Sequence, residues 1–328
     1  MNRNSIACKA VAATLLLLAC VAPNSVHAGY VYWYENGIAG ANAFMRMDLD
    51  GIGSAEVVYS YGNSSTDLKG FDVDANYLYF GEGAIVKRVD LDGTNETTII
   101  NSSDVEGGIK GLAVDGGELY FVDADYFKKW DGTSVATLVT LPSGTNRSIA
   151  LNSSSAFIGT DQAGSRDIIQ YNKITGSTEV IYNPSLSYSL EYDSIDASET
   201  HVYTLSSILQ EFEISGSSST TLDSLTGPSG KNNALAYYEE GGNTYLYYTD
   251  RGGKKINLIK NGGTPTLIHT STGFGGNASV KGLAVSSSNS GAPEPAETFA
   301  FLGLLTACCI GFRQWRQGRV SVKVTERS

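Results

Sequence analysis

The chain has 328 residues, 41% hydrophobic and 17% charged, with 37 glycines and 19 tyrosines. That is enough apolar material for a real core, in proportions that favour strands and turns over long helices. Its four cysteines, Cys8, Cys20, Cys308 and Cys309, sit at the two ends, which excludes a disulfide framework, a cysteine-ligated zinc and a cysteine nucleophile from everything between. From Gly29 to Gly291 there are 16 Lys and Arg against 31 Asp and Glu, a balance that repels nucleic-acid phosphates and anionic lipid headgroups and suits solubility or cation binding.

The first 28 residues open with Arg3 and Lys9, run through an apolar stretch from Val11 to Val21 and end in Val26-His27-Ala28. These are the three parts of a secretory signal peptide, with the cut between Ala28 and Gly29. A rival reading takes Leu17-Leu18-Ala19-Cys20 as a lipobox, with Cys20 lipidated after cleavage.

From Tyr30 to Ser286 one unit repeats. Tyrosine-rich or apolar second strands fall at Val31 to Tyr34, Tyr77 to Phe80, Leu119 to Val122, Ala156 to Ile158, His201 to Tyr203 and Tyr245 to Thr249. Their steps of about 40 residues suit one four-stranded propeller blade each. Third strands follow, at Met45 to Leu49, Val86 to Leu91, Phe127 to Trp130, Ile168 to Asn172, Gln210 to Ile214 and Ile256 to Lys260, several running into Asp-Gly or Asn-Gly turns that take positive φ readily. Fourth strands close the units at Glu56 to Tyr59, Thr97 to Ile100, Thr137 to Thr140, Glu179 to Tyr182, Thr220 to Leu222 and Thr266 to His269.

First strands carry the informative irregularity. They read Gly70 to Asp74, Gly111 to Asp115, Ser148 to Asn152, Ser194 to Ser198, Ala234 to Tyr237 and, orphaned at the far end, Gly282 to Ser286, while none precedes Tyr30. Pairing Gly282 to Ser286 with Val31 to Tyr34 completes the first blade from both ends of the domain and closes the ring, hiding its sheet edges. The expected fold is therefore all-β: a six-bladed β-propeller over residues 29–286 closed by a C-terminal strand in the first blade. Small residues in the first strands fit a crowded centre. A β-sandwich or solenoid of similar spacing leaves the orphan strand unexplained.

The Gly-Leu-Ala-Val-Asp first strand, the tyrosine-rich second strand and the Leu-Asp-Gly hairpin resemble the YWTD propellers of lipoprotein-receptor-like proteins and their bacterial relatives. Tyr248-Thr249-Asp250 comes nearest the named tetrapeptide, and Tyr34-Glu35 and Val122-Asp123 are partial echoes. The cysteine-rich modules that flank the receptor versions are absent, so receptor function does not carry over. Six Asn-X-Ser/Thr sequons, at Asn63, Asn95, Asn101, Asn146, Asn152 and Asn277, are read as turn residues.

After Ser286 come a linker over residues 287–298 with Pro293-Glu294-Pro295, an apolar run over 299–312 and a basic tail over 313–328 with Arg313, Arg316 and Arg319. This is similar to a PEP-CTERM sorting signal of exopolysaccharide-producing Gram-negative bacteria. The resemblance implies an exosortase-type processing enzyme as partner, transient residence in the inner membrane, and then the cell surface or the extracellular matrix. The apolar run is expected to be a short helix of about 21 Å, short for a bilayer core of about 30 Å, with the arginines holding the cytoplasmic side. An ordinary tail anchor is the alternative.

Candidate chemistry is sparse. Asp72 and Asp196 occupy the third position of their first strands, where the other blades carry alanine, three blades apart. Facing carboxylates near the axis are a candidate channel ligand for Ca²⁺; the competing role is capping turns or bonding backbone N–H groups between blades. His201 begins a second strand and His269 lies on an outer one, neither placed for catalysis at a channel mouth. The expected function is a non-catalytic surface or matrix binding protein, with an exopolysaccharide or surface protein as ligand and no nucleic acid. The alternatives are a propeller lyase or hydrolase and a calcium-dependent matrix component.

Overall fold

The computed structural model describes residues 29–38, 41–61, 68–143, 148–160, 167–182, 195–206, 208–216, 218–225, 234–250, 252–271 and 279–286. The signal-peptide, linker, apolar-run and basic-tail expectations fall on residues 1–28 and 287–328 and lie outside them. Among the described residues no helix is long and apolar enough to cross a membrane, and the one helical turn is the 3₁₀ turn Ser102–Asp104.

Among the described residues, twenty-four strands form six four-stranded antiparallel sheets. Blade 1 takes β1 (Tyr30–Ile38), β2 (Ala41–Asp48) and β3 (Glu56–Tyr61). Blade 2 is β4 (Leu68–Val73), β5 (Tyr77–Glu82), β6 (Ile85–Asp90) and β7 (Thr97–Ile100). Blade 3 is β8 (Ile109–Asp115), β9 (Glu118–Asp123), β10 (Tyr126–Trp130) and β11 (Val135–Thr140), and blade 4 is β12 (Ser148–Leu151), β13 (Ser155–Gly159), β14 (Ile168–Asn172) and β15 (Thr178–Tyr182). Blade 5 is β16 (Ile195–Ala197), β17 (His201–Leu205), β18 (Ile208–Glu213) and β19 (Ser219–Ser224). Blade 6 is β20 (Leu235–Glu240), β21 (Asn243–Thr249), β22 (Lys255–Lys260) and β23 (Thr266–Thr270), and the last strand, β24 (Ser279–Ser286), returns to blade 1.

The closure pairs the expected segments. Tyr30 pairs with Ser286, Val31 with Val285, Tyr32 with Ala284 and Trp33 with Leu283. The innermost strands touch in the order β24, β4, β8, β12, β16, β20 and back to β24, so the wheel is shut. Several strands run further than their β-branched and aromatic residues predict: β1 reaches Ile38, β2 begins at Ala41 and β20 extends to Glu240. Ladder hydrogen bonds from neighbouring strands carry polar residues there that have little intrinsic strand preference.

Period-two alternation divides each blade between two neighbours. Val31 and Trp33 enter the apolar cluster shared with blade 6, while Tyr32 and Tyr34 enter the one shared with blade 2. Six such clusters result, one per junction. The third-position alanines Ala113, Ala150, Ala236 and Ala284 are all buried, so the small residues of the first strands serve blade-to-blade packing. Gly70 shows the tolerance: at φ +79, a Cβ there would stand 2.8 Å from the backbone nitrogen of Leu112 in the next blade.

Each outer strand joins its blade through the same irregularity. The pairing shifts register between Phe44 and Met45, and at the matching place in the other five blades, leaving one extra outer-strand residue. That residue is Val58, Ile99, Leu138, Ile181, Leu222 or Ile268, apolar in every blade and packed against a junction cluster. A bulge lets two successive side chains break the in-out alternation. The following residues, Tyr59, Ile100, Val139, Tyr182, Asp223 and His269, accordingly reach inward partners too.

Candidate functional site

The two predicted carboxylates lie on the innermost ring, each bonded into the next blade. Asp72 accepts hydrogen bonds from the amide of Val73 in its own strand and from Val114 of blade 3, both at 2.8 Å. Asp196 does the same with Ala197 at 2.7 Å and Tyr237 of blade 6 at 2.5 Å. The tie follows from topology: an aspartate at the third position of an innermost strand meets the fourth-position amide of the neighbouring one. Burial pushes both carboxyls from the usual range up to about 7, against those hydrogen bonds, with the charges of Asp196 and Asp74 pushing Asp72 the same way. Four carboxylate oxygens thus each hold a backbone N–H. Among the described residues no three or more His, Cys, Asp and Glu gather as they would to hold a metal ion.

A second set of groups lies where the second strands end. Glu35, Glu82, Asp123, Thr160, Ser206 and Asp250 occupy equivalent places, carboxylate or hydroxyl in every blade. Two of them anchor blade junctions through buried polar clusters. Asp123, 0% exposed, forms a 2.9 Å ion pair with Lys128 of β10, itself 5% exposed. The Glu106 amide donates to Asp123 Oδ2 at 2.6 Å, and the Lys128 ammonium donates to the Asp104 carbonyl at 3.1 Å. Together they clamp the connection from blade 2 to blade 3. Asp123 Oδ1 is buried without a hydrogen-bond partner.

Glu35, 2% exposed, does the corresponding work where the ring closes. It accepts from Trp33 Nε1 at 3.0 Å and from Ser271 Oγ, and its Oε2 lies 3.3 Å from His269 Nε2. The His269 ring packs on Trp33 with centroids 4.7 Å apart. Burial alone would raise the Glu35 carboxyl; the bonds from His269, Ser271 and Trp33 outweigh it and hold the group below the usual carboxylate range. Sequence reading placed His269 on an outer strand, which is correct, but did not see Glu35 behind it. The signal was there in the repeated acidic or hydroxyl residue closing each second strand. Ser271 and His269 both converge on the carboxylate and not on one another, so the three do not form a nucleophile and base pair.

His201 sits at the start of β17, with Nδ1 2.8 Å from Thr200 Oγ1. Two sequon asparagines are turn residues: Asn95 has φ 56, and Asn152 accepts the amides of Ser154 and Ser155. Gly29 begins the described chain, its carbonyl accepting from Leu49. Ala28, Pro293, Glu294, Pro295, Arg313, Arg316 and Arg319 lie outside the described residues.

A chain of the nidogen/laminin complex is similar in structure, with TM-score 0.62 and 15% identity over 79% of this chain and 99% of that one. TolB from Acinetobacter baumannii is similar with TM-score 0.54 and 14% identity, over 79% and 67%. No family model matches the sequence, and no curated protein does. At these identities the likeness supports the six-bladed propeller as a fold.

Proposed function

We propose that this is an exported, exosortase-sorted protein of the cell surface or extracellular matrix, whose propeller binds a partner and does no chemistry. One observation supports it most: the titratable groups that the propeller brings together, Asp72, Asp196, Asp123 with Lys128, and Glu35 with His269, are all engaged in joining one blade to the next. A rigid wheel with its polar interior committed to assembly is a scaffold for presenting surface loops. The terminal sequences supply the destination, through a signal peptide ending at Ala28 and a sorting signal at Pro293 to Pro295 followed by an apolar run and Arg313, Arg316 and Arg319.

A binding array of exopolysaccharides and surface glycans probed with the purified protein tests the first half. Saturable binding to one class is expected, and no binding to any polysaccharide removes that ligand class. Replacing Pro293, Glu294 and Pro295 with alanine tests the second. The altered chain should accumulate unprocessed in the inner membrane, and unchanged processing refutes the sorting assignment.

A further inference from the structure

The ring closes in blade 1, which among the described sheets is the one assembled from strands at opposite ends of the domain. Among the described residues, polar contacts tie it to blade 6 at four places: the Glu35 cluster, the Tyr247 hydroxyl donating to the Leu49 carbonyl at 2.5 Å, the Lys260–Asp50 ion pair at 2.6 Å, and the Val280 amide donating to the Gly253 carbonyl at 2.6 Å. Glu35 holds the first of these from β1, the strand that also pairs with β24.

The corresponding carboxylate in blade 3, Asp123, is matched by a lysine, Lys128. Glu35 is matched by an imidazole, the side chain whose charge ordinarily comes and goes between about pH 5 and 8. The bulge in β23 brings this about by turning both Ile268 and His269 toward blade 1. Among the six post-bulge positions, this one alone carries an imidazole. With the ring neutral, the cluster encloses a buried negative charge held by uncharged donors. With it protonated, the same atoms enclose a neutral ion pair joined by a charge-assisted hydrogen bond. Other charged groups on the surrounding elements are Arg46 and Asp48 on β2, Asp250 and Lys254 in the β21–β22 turn, Lys255 and Lys260 on β22 and Lys281 on β24. The four lysines and Asp48 are exposed, Arg46 pairs with Glu56, and Asp250 Oδ1 accepts the amides of Lys254 and Lys255. No second buried carboxylate competes for His269 among the described residues.

We propose that Glu35 and His269 form a pH-responsive latch on ring closure, which tightens the seam between blades 6 and 1 in mild acid and relaxes it at neutral to alkaline pH. The latch has a lower limit as well, because protonating Glu35 in stronger acid removes its anionic half.

Asp72 and Asp196 also take up protons near neutrality, so the test must be local. Amide hydrogen exchange on the β1–β24 ladder of the full chain, scaled to intrinsic rates, is followed from pH 8 to pH 5.5. Protection there should rise roughly threefold to tenfold, and His269→Gln, which retains both aspartates, should show a clearly smaller rise than the wild type. If His269→Gln does not fold, His269→Lys should give high protection with a pH dependence no larger than the aspartates supply. A wild-type ladder that does not respond to pH overturns the latch, as does an equal rise in His269→Gln or low protection in His269→Lys.

Discussion

The junction between blades 2 and 3 and the junction between blades 6 and 1 are built at equivalent positions from different chemistry. The first has Asp72 bonded across the innermost ring and Asp123 paired with Lys128. The second has Ala236 in place of Asp72, and Glu35 with His269 in place of the lysine pair. The first joins blades that adjoin in sequence, and the second joins residues more than 230 positions apart. A lysine pairs with the carboxylate at the local joint, whereas an imidazole meets it at the long-range one.

The comparison breaks most sharply at the two carboxylates. Asp123→Ala strands the buried Lys128 ammonium and should cost about 3–5 kcal/mol in urea unfolding. Glu35→Ala should cost less, about 1–3 kcal/mol, because it leaves the Trp33, Ser271 and His269 hydrogen-bonding groups without their acceptor and strands no buried ammonium. Equal losses would erase the distinction between the joints.

Glycines probe the same pair of joints sterically. Gly70→Ala places its methyl against the Leu112 backbone at positive φ, and about 2–4 kcal/mol should be lost from strain and overpacking together. Gly51 has φ +68, and its added Cβ meets Ile268 Cγ2 at 2.5 Å and Cβ at 2.7 Å, so the packed bulge residue must shift. Gly51→Ala should therefore cost a comparable amount, roughly 2–4 kcal/mol, with thermal midpoints comparing the two.

Acid separates the joints by sign. The folded Asp72 carboxyl is raised from the usual range to about 7. Its joint therefore loses stability as pH climbs from about 4 to about 7, on the order of 1–2 kcal/mol once solvent screening is allowed for. Asp72→Asn should flatten that slope in chemical melts taken across the range. Glu35 is held below its usual range, so its contribution is present above the ordinary glutamate value and disappears as pH falls through the folded one. A stability maximum in mild acid is the expected resultant. The smallest effect belongs to Lys260→Ala: its pair with Asp50 is 40% and 47% exposed, and less than about 1 kcal/mol should vanish in high salt.

Much of the architecture was legible because it is written locally. Val31-Tyr32-Trp33-Tyr34, the Asp92-Gly93 turn and the orphan Gly282 to Ser286 are short-range signals, and counting them to six dictated closure. The junction chemistry was not legible, since it depends on which side chains meet across blades. Asp72 could be weighed between cation ligand and inter-blade hydrogen bond, but only the position of the Val114 amide displays the bond. Lys128 looked like any strand lysine until β9 and β10 paired to bury it beside Asp123. The bulges were half visible: adjacent apolar residues such as Ile99-Ile100 and Leu138-Val139 break strict alternation, which a two-faced strand should keep.

Those six bulges bear on how copies of the molecule behave in one another's company. A straight outermost strand would offer a run of unpaired amides and carbonyls to any neighbour's rim, and wheels so bordered would zip into ribbons at high concentration. Because every spoke ends in a kinked border with its spare greasy residue turned inward, the perimeter gives no template to copy. Straightening one border by deleting Leu138 should open a single edge to pairing and yield dimers at high concentration.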